Sequence, residues 1–71
     1  LGHAARLLAN DPCREDAHRA VMRSYVRLGQ RAQALRQFQL CQAILRTELE
    51  VTPEPATTGL YEQIRSDPGA V

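Results

Sequence analysis

Apolar side chains recur along this chain at helical spacing in four runs, separated by prolines and one glycine. Leu1, Ala4, Ala5, Leu7 and Leu8 predict a first helix over about residues 1–9. Asn10-Asp11-Pro12 ends it, because proline disfavours a helical residue before it. From Glu15 to Leu28 there is neither Gly nor Pro, and Ala17, Val21, Tyr25 and Leu28 fall on one face with Met22 beside them. Glu15 and Asp16 in its first turn and Arg27 in its last suit the helix dipole. Gly29 supplies a residue that takes positive φ just past the end. A third helix is predicted from about Arg31 to Glu48, where Ala34, Phe38, Cys41 and Leu45 step by four, three and four. Leu35, Ile44 and Leu49 widen that stripe, while Gln33, Arg36, Gln37 and Thr47 lie opposite. Pro53 and Pro55 force an extended turn, and Pro55 then suits the first position of a fourth helix. Leu60, Tyr61 and Ile64 carry it to about Ser66, and 67–71 reads as a tail. No segment alternates at period two, so the expected fold is all-α.

Composition narrows the class. Seventy-one residues make at most one small domain, and 44% apolar with 24% charged residues is the mix of a folded chain. No apolar run approaches the roughly 20 residues that span a bilayer, and no signal peptide pattern opens the sequence. The expected location is the cytoplasm, with Cys13 and Cys41 as reduced thiols. Because the sequence begins at Leu1, inside an apolar pattern, it reads as a fragment of something longer. Charge is unevenly laid out: residues 1–31 carry a net +3 and residues 32–46 a further +2, whereas residues 47–71 carry −4. A basic front meets an acidic rear.

The short connection between the second and third helices makes them an antiparallel hairpin. His18, Val21, Met22 and Tyr25, with Gly29 at the turn and Ala34-x3-Phe38 beyond it, resemble a tetratricopeptide repeat. Small Ala34 lets the helices approach closely, and Tyr25 and Phe38 fill the space beside it. His18 replaces a bulky aromatic and Met22 a small residue. The expected organisation is a partial tetratricopeptide-like domain over 1–66, an α-α superhelix fragment. It has one complete hairpin at about 15–48, flanked by partial repeats, the first helix being the second half of a preceding repeat. Val21, Tyr25, Gly29, Ala34, Phe38, Cys41 and Leu45 carry the packing.

A longer set of words is more specific. Asp11-Pro12-x-Arg14-Glu15-Asp16-Ala17-His18-Arg19-Ala20 is followed by Leu28-Gly29-x-Arg31-x-x-Ala34-Leu35-Arg36-Gln37, then by Cys41, Leu45, Glu48-Leu49, Pro53, Pro55, Thr57 and Leu60-Tyr61-Glu62. Together they resemble the bacterial transcriptional activator domain across about residues 4–65. The resemblance implies a noncatalytic helical-repeat module of a transcriptional regulator of the SARP type, in which another domain binds DNA. It implies protein partners: a second copy, neighbouring domains of the same regulator, or transcription machinery. The competing class is a helical-repeat scaffold segment of a multidomain signalling ATPase or cyclase. Glu50 departs from the glycine that usually ends the third helix, and Gly59 from a helix former.

Candidate chemistry is sparse. The two Cys and two His lack the paired short spacings of a zinc site, Ser24 has no base in a recognisable motif, and no Gly-rich phosphate loop follows a strand. Catalytic residues, cofactors and metals are therefore not expected. Cys41 reads as a small hydrophobe, and His18 as a packed residue with one nitrogen solvated. Arg19, Arg23 and Arg27 form a stripe on one helix face, with Glu15 preceding it as an i,i+4 partner for Arg19. Glu48, Glu50 and Glu54 read as solvated. His18, Arg19, Met22, Arg23, Arg27 and Leu40 are the candidate partner contacts, Leu40 with Ala43 on the outer face of the third helix. Direct contact with nucleic acid is not expected, for want of aromatics and because of the nearby acids, and no membrane contact is expected either. Leu1, Leu7 and Leu8 need cover, from preceding sequence or from a second copy.

Overall fold

The computed structural model describes residues 2–66; Leu1 and the expected tail 67–71 lie outside the described residues. Four helices follow one another: α1 (Gly2–Asn10), α2 (Glu15–Arg27), α3 (Arg31–Leu49) and α4 (Pro55–Ser66). The fold is all-α, and each helix ends within a residue or so of where the pattern predicts. α1 runs on to Asn10, whose neighbour Asp11 donates its N–H to the Leu7 carbonyl.

The turn between α2 and α3 forms as its glycine requires. Gly29 has φ +74°, and the chain closes with Gln30 N–H to Tyr25 O at 2.8 Å and Gly29 N–H to Val26 O at 3.0 Å. These two bonds satisfy carbonyls that the helix end leaves open. α3 ends the same way without a glycine. Glu50 takes φ +55°, donating its N–H to the Arg46 carbonyl. A side chain in that left-handed conformation is strained. Glu50→Gly is therefore expected to raise stability by about 0.5–1 kcal/mol, the relief exceeding the added freedom of the unfolded chain. A urea midpoint below that of the wild-type chain would contradict it. At α4, Glu54 caps the helix through its carbonyl, which accepts from Thr57 and Thr58 N–H, with Pro55 at the first helical position.

α2 and α3 pack along their lengths, α1 lies against α2, and α4 closes over both α2 and α3. Met22, Ala34, Phe38 and Ile64 form one buried cluster, with Tyr25, Val26, Leu35, Leu60 and Tyr61 against it. Phe38 and Tyr61 stack with ring centroids 4.1 Å apart, so α3 grips α4 through an aromatic pair. Ala17, Val21, Cys41 and Leu45 are buried as well. Of the residues expected to carry packing, Tyr25 is half-buried against the cluster and Gly29 makes the turn.

Cys13 is half-exposed and Cys41 fully buried, both as free thiols. Burial, and after it the charge of Glu15, pushes the Cys41 thiol up to about 11. Since only the thiolate alkylates, a thiol reagent at about pH 8 is expected to modify Cys13 first and Cys41 only on unfolding. Mass spectrometry of the alkylated chain checks this; equal labelling of both in the folded state would refute it.

Candidate functional site

Helix α2 touches every other helix and carries most of the residues expected to contact a partner. Its inward face holds His18 and Met22, only 1% and 0% exposed. Neither is presented to a partner, which corrects the expectation that both are contacts. The imidazole is not left with a solvated nitrogen either. Nε2 lies 2.7 Å from the Pro12 carbonyl oxygen and Nδ1 lies 2.8 Å from the Gln37 side-chain nitrogen. A carbonyl can only accept, so Nε2 carries the proton and donates to Pro12, while Nδ1 accepts from the Gln37 amide. His18 thereby ties the α1–α2 loop to α3 through α2. Gln37, expected on the solvated side of α3, turns in to complete that link.

Arg19 serves the fold in a similar way. Its Nη1 donates to the Glu54 carboxylate and, at 2.8 Å, to the Thr57 hydroxyl, which is itself buried. The expected Glu15–Arg19 pair is replaced by a longer-range arrangement, in which Glu15 accepts the Glu54 backbone N–H at 2.9 Å. Glu54 is thus no solvated bystander; it is held by two residues of α2. The basic front and the acidic rear meet here, across 35 residues of sequence. Arg19 as a partner contact is corrected accordingly, because its guanidinium already binds α4.

Arg31, part of the Leu28-Gly29-x-Arg31 word but given no role by the sequence, closes the other end of α4. Its Nε donates to the Ile64 carbonyl at 2.8 Å and a terminal nitrogen donates to the Arg65 carbonyl. These are last-turn carbonyls, where a cation also opposes the negative end of the helix dipole. Its place in that word just after the Gly29 turn is the signal the sequence held, and it does not say which helix end the side chain meets.

The remaining candidates are exposed. Arg23 and Arg27 stand one turn apart on α2, and no ion pair joins either to another described residue. Arg14, by contrast, pairs with Asp16 at 2.9 Å and holds that carboxyl below its ordinary range. Arg65 pairs with Glu62 at 2.6 Å. Leu40 is 51% exposed on the face of α3 opposite Phe38 and Cys41, with Ala43 exposed one turn on. Two shallow depressions flank Ala43 and Thr47: Pro12, Ile44 and Glu48 line one, and Gln39, Gln42 and Arg46 the other. On α1, Ala4 is buried and Leu7 and Leu8 are half-buried.

Among the described residues, no group of three His, Cys, Asp or Glu is placed to hold a metal ion. No helix there is long and apolar enough to cross a membrane. Comparison with curated proteins found no match, and comparison with solved structures found none. The chain does match a family of transcription-regulator domains over residues 1–65. With all four helices inside or bordering that span, the chain belongs to the bacterial transcriptional activator domain family.

Proposed function

We propose that this domain is a noncatalytic docking module of a cytoplasmic transcriptional regulator, which joins other protein surfaces, a second copy included, while another domain binds DNA. The observation that carries this reading is the division among its arginines. Arg19 and Arg31 spend their guanidinium groups inside the fold, whereas Arg23 and Arg27 stand exposed on α2 without a partner among the described residues. Arginine is enriched at interface anchors because its planar fork binds carboxylates in two places at once. The occupant that suits this pair is an acidic protein segment of a neighbouring domain or of the transcription machinery. Membership of a family of transcription-regulator domains supports the same reading.

Fusion of the chain to an unrelated DNA-binding domain tests it. The fusion is expected to raise transcription from a reporter bearing that domain's site. Substituting Arg23→Glu and Arg27→Glu together is expected to abolish the increase with helicity unchanged. A reporter indifferent to the fused chain, or to the double substitution, would refute the reading.

A further inference from the structure

Residues 17–47 contain six Arg and no Asp or Glu. Arg19 and Arg31 are bound to α4, and Arg23 and Arg27 belong to α2, which leaves Arg36 and Arg46 on α3. Ala32, Arg36, Gln39, Ala43 and Arg46 recur at steps of four, three, four and three, and all five are exposed. Such spacing sets them in one line along the outer face of the helix. Gln39, Ala43 and Arg46 border a depression with Gln42 and Thr47 towards one end of that line. No ion pair joins Arg36 or Arg46 to another described residue.

We propose that the outer face of α3 contacts the phosphate backbone of duplex DNA while another domain of the regulator holds the site. This rests on the reading above that the chain works beside a DNA-binding domain. The chemistry of the face argues for it. Guanidinium, amide and hydroxyl groups are side-chain donors that reach phosphate oxygens, and small Ala32 and Ala43 let the helix come close. Arg36 and Arg46 lie ten residues apart, about 15 Å along the axis at roughly 1.5 Å per residue. That exceeds the roughly 12 Å width of the major groove, so a helix laid across the groove sets one arginine at each bounding strand. An acidic protein segment fits less well, because Ala43 at the centre of the line gives it no large apolar anchor and Leu40 stands to one side.

Neither ground for expecting no nucleic-acid contact applies to this face. Stacking on aromatics serves single strands, whereas duplex phosphates need only donors. The acids nearest to Arg46 in sequence lie off the line: Glu48 borders the depression beside Pro12, and Glu50 follows the helix end. Two phosphate contacts alone are weak, but a tether to a bound domain holds this face near the duplex at about millimolar effective concentration. The contact adds affinity without reading bases.

Fusion of the chain through a flexible linker to an unrelated DNA-binding domain, followed by fluorescence anisotropy, is the test. Duplexes bearing that domain's site are compared with and without flanking DNA. The fusion is expected to bind the flanked duplex about tenfold more tightly than the domain alone at about 50 mM salt, and to lose that advantage near about 200 mM, as two phosphate contacts require. Arg36→Gln with Arg46→Gln is expected to remove the gain, and Arg23→Gln with Arg27→Gln to leave it. All four positions are exposed, so far-ultraviolet circular dichroism is expected to stay unchanged. A fusion no tighter on flanked DNA, or a gain that survives the loss of Arg36 and Arg46, would overturn the proposal. Labelled polyglutamate held through Arg36 and Arg46 more tightly than the duplex would overturn it as well, and would give this face to an acidic protein. Failure here leaves the reporter experiment to judge docking through Arg23 and Arg27.

Discussion

Replacing Phe38 by alanine is expected to cost about 3–5 kcal/mol, enough to leave much of a small domain unfolded at room temperature. Phe38 is 6% exposed, sits in the cluster with Met22, Ala34 and Ile64, and stacks on Tyr61. Its loss removes apolar area from the α2–α3 hairpin and from the contact that holds α4 at once. Of its partners in the buried cluster, Ala34 is too small to fill the space and Met22 is already buried. The measurement is a urea titration followed by circular dichroism. Phe38→Leu is expected to lose much less, because it keeps most of the volume and gives up only the stacking with Tyr61. A loss below about 1 kcal/mol for the alanine variant would mean that α3 and α4 do not share this core.

His18→Ala is expected to be the next most costly change. The Pro12 carbonyl and the Gln37 amide lose their partner together, at about 1–3 kcal/mol, and the vacated ring volume adds to that. The effect differs in kind from that of Phe38, because part of it belongs to a hydrogen-bond relay. A double-mutant cycle with Gln37→Ala separates the two: coupling of about 0.5 kcal/mol or more is expected between His18 and Gln37. Additive losses would show that the imidazole acts by volume alone. Were His18 instead a contact for a partner, its removal would leave the isolated chain as stable as before.

The repeat pattern made most of this fold legible, and it did so through local chemistry. Pro12, Gly29 and Pro55 mark where helices stop or start, and the four-and-three stepping of Ala34, Phe38, Cys41 and Leu45 names the inward face of α3. These features act within a few residues of themselves. The candidate surface was less legible. The sequence sets Met22 beside the apolar face of α2 and reads His18 as packed with one nitrogen solvated, yet both also stand among its candidate partner contacts. Packing across the fold makes them interior: His18 meets Pro12 and Gln37, and Met22 joins Ala34, Phe38 and Ile64. Arg19 and Arg23 are four residues apart and look equivalent in sequence, yet one faces α4 and the other faces solvent.

What the sequence determined by itself is the set of four helices, their turns and most of the apolar stripes, because periodicity, proline and glycine act on the backbone nearby; Leu28 and Leu49, at the ends of those stripes, are exposed where no other helix reaches them. What only the tertiary structure decided is the fate of the polar groups. His18 meets Gln37 across 19 residues, Arg19 meets Glu54 across 35, and Arg31 meets the end of α4 across 33. A buried polar atom must find a partner wherever the chain happens to bring one. Its neighbours along the sequence do not reveal which distant residue that is, and so cannot say which arginines are left for a partner.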